Sequence, residues 1–564
     1  VKNVLQLAKK VRSTTATTED IANFEGVLAR HAAIQEQVAG ITAEAGRALR
    51  SFREIADSDG VIQERLIREY LDARGGVETI QKIAQKIGDL DSKEQVNAFV
   101  KDAYKPGFND YIQEFWINAL LSSPSTHFVN MTSNLLVAAT RPFEYAIAAG
   151  IGSFRNAEDR ITFTEVGLRT LGSIVGAVDG LVAGGRALWD PDSVTDSLTK
   201  LELQRQKVIP GVAGTIVRTP GRFLVAEDVL FKTIGYRQEL WGSAFAQARK
   251  EGKGIQRAFE IMRSPKDMFP DIHLKAIDTG RYQTFTNPLG EGKTGAIGKR
   301  IQQMIAAVPA LRYAMPFVRT PVNILRYSFE RNPLLASFTT SYREAIKKGG
   351  KEADLARAKM LFGTSIMTGV GAYAAAGMIS GGGPADPREN AVLRETGWQP
   401  YSVRVGDKWY QYNRFEPIGI LFGITADLVE IGSLIKNEEE QVEADEIAAM
   451  LIASVTDNII NKTFLTGLSD AMKVLLDSER YGERTIQRFL GSFIPTVFYY
   501  QKKGEDPYLR DVRNITDAYK NRLGTTSKEL PLKRNILGEA KEYNKGFGGR
   551  FSPLTVSDIK NDIA

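Results

Sequence analysis

From Met360 to Ala385 the chain runs for 26 residues without a formal charge. A run of that length must be hidden from water by other parts of the protein or placed in lipid. The part read as helical, Met360–Ser380, is about the 20 residues that a bilayer core requires. Thr364, Thr368, Ala372, Ala376 and Ser380 recur at four-residue steps. Such a stripe of small residues lets helix backbones approach closely, which makes these five the candidate helix-packing residues. The larger side chains, Met360, Leu361, Phe362, Ile366, Met367, Val370, Tyr373, Met378 and Ile379, are the candidates for membrane contact. Lys347, Lys348, Lys351, Arg357 and Lys359 precede the segment and form a basic flank suited to lipid headgroups or DNA phosphates. Two readings stand for the segment, a membrane-inserting helix and a buried Ala/Gly-rich core helix. A helix that is soluble when stored and inserts later satisfies both.

The rest of the chain reads as helical, with one exception. Residues 1–104 form a charged amphipathic bundle. Ile21, Phe24, Val27, Leu28, His31, Ile34, Val38 and Ile41 make an apolar stripe on a helix starting at Thr18 or Glu19. The stripe recurs at Val61, Leu66, Ile67 and Leu71, and again from Val77 to Leu90. Residues 105–190 are apolar and Gly-rich. Phe115–Thr140 has no formal charge, yet its Asn and Ser residues argue for two buried or interfacial helices broken at Ser-Pro. Two further apolar stretches, 143–154 and 168–188, carry Glu144, Arg169, Asp179 and Arg186, and suit either a membrane surface or packing between chains.

Residues 191–350 have ordinary soluble helical patterning. There Val217-Arg218-Thr219-Pro220 and Val318-Arg319-Thr320-Pro321 each predict a helix that Thr can cap, with Pro at its first position. Residues 351–396 hold the charge-free helix and a Gly/Pro linker. The exception is 397–414, where alternating Tyr401, Val403 and Val405, then Gly406-Asp407, then Trp409, Tyr410 and Tyr412 predict a β-hairpin. Helices are expected across 415–500, at Ile418–Ile435, Ile447–Leu476 and Thr485–Tyr500. The acidic run Glu438–Glu446 reads as a solvated loop and helix start. Beyond it, 501–564 reads as an extended, charged arm. The fold class is therefore mainly α, an elongated multi-helix assembly with one small hairpin and an extended C-terminal arm.

Composition removes most catalytic chemistry. With no Cys and three His in 564 residues there is no thiol nucleophile, zinc ribbon or iron–sulfur site. His31, His127 and His273 lie far apart and form no HExxH. Glu114, at the edge of the charge-free stretch, reads as an acidic residue near a helix start, and His127 as a turn or interface residue. Asn287–Thr294 resembles a phosphate loop, with a short strand expected at Tyr282–Phe285. Asn and Pro stand where its first Gly is needed, and Pro has no N–H to offer a phosphate. No catalytic residue, metal ligand or cofactor is expected. The net charge of +6 is thin over this length, and the lysine clusters (Lys502-Lys503, Lys533-Arg534) lack interleaved aromatic residues in sequence. Any DNA contact is expected through phosphates, without sequence preference. The chain opens on Val1 with no apolar signal segment, and reads as processed or as part of a longer polypeptide.

Four stretches together carry a resemblance. They are the run from Phe115-Trp116 to Asn130, Pro316–Leu325, Gly397–Ser402 and Trp409–Pro417. Across roughly 105–555 they resemble the large internal virion proteins, also called ejection or inner-core proteins, of short-tailed bacteriophages. The resemblance implies a protein stored in the capsid core above the portal. On infection it would pass to the host periplasm and inner membrane and help form a channel for the genome. Its implied partners are further copies of itself, other core proteins and the portal, phage DNA and the host inner membrane. Some relatives of that kind carry a transglycosylase domain, which these residues do not contain. The rival readings are part of an enzyme, either a murein-degrading transglycosylase or an NTPase, and a non-viral membrane-associated scaffold.

Overall fold

A computed structural model of the chain describes residues 2–13, 16–39, 76–89, 107–156, 159–190, 208–289, 311–314, 316–384, 386–436, 490–534, 538–543, 545–546 and 553–559, with a few isolated positions between. These residues are mostly helical, with one small antiparallel sheet. The expected helix at Ile447–Leu476, the acidic run Glu438–Glu446, most of the second N-terminal stripe and most of the phosphate-loop-like segment lie outside them.

The N-terminal region builds α1 (Lys2–Val11), α2 (Thr18–Ala39) and α3 (Gly76–Gly88). Helix α2 begins where Thr17 and Asp20 cap each other. The Asp20 N–H donates to Thr17 Oγ1 and the Thr17 N–H to Asp20 Oδ2, both at 3.1 Å. Its Ile21, Phe24 and Leu28 pack with Val4, Ala8, Ile80 and Ile87 in a buried apolar core.

Next come α4 (Phe108–Leu121) and α5 (Pro124–Ile151), and the break falls at Ser123-Pro124. Pro starts a helix without loss because its missing N–H has no partner in the first turn. Helix α6 (Phe163–Trp189) lies along α7 (Thr219–Lys250). Then follow α8 (Ile255–Arg263), α9 (Pro270–Gln283), α10 (Arg319–Arg331), α11 (Thr340–Lys348) and α12 (Gly350–Ala375). After α13 (Pro387–Glu395) come the hairpin, α14 (Ile418–Lys436) and α15 (Thr496–Glu505).

Four expectations change. The helix through the charge-free run stops at Ala375, not Ser380, because Gly377 turns at φ +70° and Ile379 bridges to Val403. Tyr282 and Gln283 are the end of α9, not a strand, since the helix is continued by hydrogen bonding until Phe285 turns at φ +59°. Neither Val-Arg-Thr-Pro motif forms a Thr cap: Thr219 is already helical and its Oγ1 donates to the Thr215 carbonyl at 3.2 Å, while Val318 precedes α10. The C-terminal arm is not only extended, for it also carries α15 and two strands.

Those strands enlarge the hairpin. Strands β1 (Ser402–Val405) and β2 (Lys408–Gln411) turn at Gly406-Asp407, with Gly406 at φ +59°. Then β4 (Thr555–Asp558) pairs with β2, and β3 (Lys545–Gly546) pairs with β4, giving the order β1-β2-β4-β3. Trp409 stands opposite Ser557, and the Ile559 N–H donates to the Asp407 carbonyl at 2.8 Å.

Candidate membrane-contact surface

Helix α6 has two unlike faces, set by its sequence. Thr162 opens it by accepting the Glu165 N–H at 3.3 Å. Gly172, Gly176, Gly180 and Gly184 then recur every fourth residue, on one side of the helix. That side meets the backbone of α7. A Cβ would lie 2.6 Å from the Arg237 carbonyl oxygen at Gly172, and 2.8 Å from Ile234 Cα at Gly176. It would lie 2.6 Å from the Leu230 oxygen at Gly180, and 2.8 Å from the Ala226 oxygen at Gly184. Only glycine fits along this seam, and the two helices touch main chain to main chain.

The other side holds Leu171, Ile174, Val175, Val178, Leu181 and Val182, each exposed; Val178 is 62% exposed and Leu181 66%. Phe163 (64%) and Trp189 (84%) stand uncovered at the two ends. Among the described residues, α6 is the helix long and apolar enough to cross a membrane, and 33% of its apolar stretch is buried. A core helix of the same composition would be mostly covered. Its 27 residues span about 40 Å, longer than the hydrocarbon layer of a bilayer. Helix α5, which packs on α6, shows a second row at Phe128, Met131 and Leu135.

Three charges of α6 pair with charges on α7 or within the helix. Arg169 donates to Glu239 Oε2 at 2.5 Å and to Glu165 Oε1 at 2.9 Å. Asp179 accepts Arg237 Nη2 at 2.7 Å. Tyr145 and Ser243 also donate to Glu239, at 2.9 and 2.7 Å. Burial opposes the Glu239 charge, but the Arg169 and Lys275 cations override it and hold the carboxyl well below the ordinary range. Arg186 remains exposed, one turn from the end, near Trp189. An aromatic and a cation together at a helix end suit a membrane–water boundary.

The charge-free segment lies in α12, which packs on α5 and α14. Of its expected contact residues, Leu361 (48%) and Tyr373 (61%) are exposed. Met360, Phe362, Ile366, Met367 and Met378 are half-buried, and Val370 and Ile379 are buried. Among the described residues, the small-residue stripe does not form a packing seam. Thr368, Ala372 and Ala376 face solvent, Thr364 is half-buried, and Ser380 is buried beyond the helix, its Oγ donating to the Gln399 carbonyl at 2.7 Å.

The basic flank divides. Lys347, Lys348 and Arg357 are exposed. Lys351 is half-buried, and burial together with Lys275 and Lys250 pulls it below its ordinary value. Lys359 points into the protein, donating to Glu330 Oε2 at 2.8 Å and to the Tyr282 hydroxyl at 3.1 Å.

The residues weighed for chemistry have structural contacts. Glu114 is 1% exposed and accepts the N–H groups of Val208 and Ile209 at 2.6 and 2.7 Å and Arg218 Nη1 at 2.6 Å. It fastens the start of the α7 region to α4. His127 Nδ1 and Asn130 Nδ2 meet the Glu227 carboxylate at 2.8 and 2.5 Å, tying α5 to α7.

Sequence alone suits 168–188 to a membrane surface or to packing between chains, but assigns membrane contact to Met360–Ser380 and makes no use of the four glycines at steps of four, which set the packed face of α6. No protein-family model matches the chain, no curated protein matches its sequence, and no solved structure matches it.

Proposed function

We propose that this chain is a structural protein of the phage virion interior that is ejected into the host envelope, where its copies associate as part of a channel for genome delivery. It acts there without catalysis. The observation that carries the reading is the outer face of α6: a helix of membrane-spanning length with its apolar residues uncovered and with Arg169 and Asp179 paired to residues of α7. The four stretches that resemble internal virion proteins supply the setting, with the portal, other core proteins, phage DNA and the host inner membrane as partners. The α12 segment, with Leu361 and Tyr373 outward, is a second place for lipid contact.

Vesicle flotation tests the reading. The chain is expected to float with phospholipid vesicles, and Ile174→Asp with Val178→Asp to abolish this. Gly369→Asp isolates the contribution of α12, because Gly369 is exposed and a Cβ placed there meets nothing within 4 Å. A chain that stays at the bottom of the gradient with every vesicle composition would sink the membrane part of the proposal. Its absence from purified virions would sink the rest. Peptidoglycan clearing, or ATP turnover abolished on changing Lys293, would establish the enzymatic rival.

A further inference from the structure

The sequence places Lys502 and Lys503 without aromatic neighbours beyond Tyr499 and Tyr500, but the fold brings Tyr543 to them from far along the chain. Lys503 Nζ stands 5.1 Å from the ring centroids of Tyr499 and Tyr543 and 5.7 Å from that of Tyr500. The Tyr499 and Tyr543 rings meet edge to face, with centroids 5.9 Å apart. Lys502 is fully buried and donates to the Tyr543 hydroxyl at 2.7 Å and to Asn521 Oδ1 at 2.5 Å, which holds the frame together. Arg414 reaches the Tyr500 hydroxyl and lies close enough to Lys503 to repel it, and Arg522 lies beside Tyr499.

Positive charge here is not balanced. Among the described residues, Lys503, Arg414 and Arg522 have no carboxylate at ion-pair distance. The nearby Asp506 is taken by Arg510 at 2.9 Å and by Ser527 Oγ at 2.8 Å. Burial lowers Lys503 and Arg522 below their ordinary values and brings Lys502 down to about 8. Tyrosine faces offset only part of such crowding, since the attraction of one ring for a cation is modest. An arriving anion would relieve the remainder.

We infer that this cluster binds the sugar–phosphate backbone of single-stranded nucleic acid, with Lys503, Arg414 and Arg522 meeting phosphates and Tyr499 and Tyr543 offering ring surface to bases. Cations set among aromatic rings are the two components of a sequence-tolerant single-strand platform. Lipid headgroups are met differently, by basic side chains on free stems beside an apolar helix. Lys503 is instead held over three rings. The inference rests on the conduit reading for its biological setting and on the cluster alone for its chemistry.

Fluorescence anisotropy of the full chain with a labelled oligo-dT strand tests it. Lys503→Gln with Arg522→Gln is expected to weaken binding about tenfold or more. The same pair is expected to flatten the salt dependence by about 0.7 in log–log slope for each phosphate that is no longer neutralised. Lys503→Arg is expected to keep binding. Tyr499→Leu is expected to weaken it about fivefold or more with the slope unchanged, because stacking releases no counterions. Unchanged affinity in the double variant, with a wild-type circular dichroism spectrum and melting curve, would overturn the inference. So would a variant that no longer binds anionic vesicles while holding the strand as before, or equal competition by inorganic phosphate at matched ionic strength. Vesicle flotation of α6 variants and strand binding are read separately, so either reading can fail without the other.

Discussion

Glu144 and Arg331 lie 187 residues apart in sequence, both fully buried, with Arg331 Nε donating to Glu144 Oε1 at 2.7 Å. Arg331 also lies over the Tyr327 ring, 3.3 Å from its centroid. Removing Arg331 leaves the buried Glu144 with Arg141 at 3.7 Å as its remaining cation, so Arg331→Met is expected to cost about 3 kcal/mol in urea unfolding. Replacing both, as Glu144→Leu with Arg331→Met, is expected to recover most of that loss; strictly additive losses would show that the two do not act as a pair. Glu330 gives a pH dependence. Burial works against its charge, but Lys359 and Arg326 prevail and hold it well below its ordinary value. The unfolded chain then takes up this proton first as pH falls. The stability from Glu330 is therefore complete above about pH 4.5 and is lost progressively below it. Glu330→Gln should flatten that acid limb, measured as urea midpoints between neutral and acid pH. Lys502 has the opposite sign in the alkaline range. Its folded value of about 8 lies below the ordinary lysine value, so its contribution improves as pH rises through 8. The long-range pairings of Glu144 with Arg331 and of Glu330 with Lys359 were not legible in sequence. Spacing marks where charges stand along a helix but not which distant carboxylate they meet.

At the scale of the element, the glycine seam between α6 and α7 makes a sharp contrast. Gly180→Val would drive a branched side chain into the Leu230 carbonyl, and is expected to lower stability by about 2 kcal/mol or more in thermal unfolding. Gly185→Ala sits on the same helix with nothing within 4 Å, and is expected to raise stability by about 0.5–1 kcal/mol through helix propensity alone. Equal effects at the two positions would remove the case for a close seam. Sequence reading recognised this stretch as apolar and glycine-rich, but favoured Met360–Ser380 because that segment has no charge. Formal charge misled at α6. Arg169, Asp179 and Arg186 interrupt the apolar stretch in sequence, yet Arg169 and Asp179 turn toward α7 and meet Glu239 and Arg237 there, while Arg186 stays exposed. The charge-free run misled in the other direction: its length hid a turn at Gly377, where a glycine with φ +70° follows the end of the helix at Ala375. Element types and the Ser123-Pro124 break were legible because capping and periodicity are local. Facing was not, because it depends on partners far away along the chain.

Across the whole molecule, the C-terminal region returns to the hairpin near residue 400. Strand β4 covers β2, and Trp409, 7% exposed, stands opposite Ser557. Ending the chain after Tyr543 is expected to uncover Trp409. The shift should appear as red-shifted tryptophan emission that is missing when the same truncation carries Trp409→Phe. No shift would mean that β4 does not shield the hairpin. The hairpin itself was readable from alternation and a two-residue turn, whereas Thr555–Asp558 is too short for any period to identify it as a strand. The seam between α6 and α7 bears on the molecule in one more way. Burial of apolar side chains draws its strength from water, and it fades where the surroundings are as apolar as the core. Contact between two backbones at glycine depends on distance and shape, and these persist in either solvent. The N-terminal bundle is packed through buried apolar side chains such as Val4, Phe24 and Ile87, whose burial draws its strength from water. The α6–α7 pair is joined by an attachment that does not depend on which solvent surrounds it, and would stay paired while its environment is exchanged.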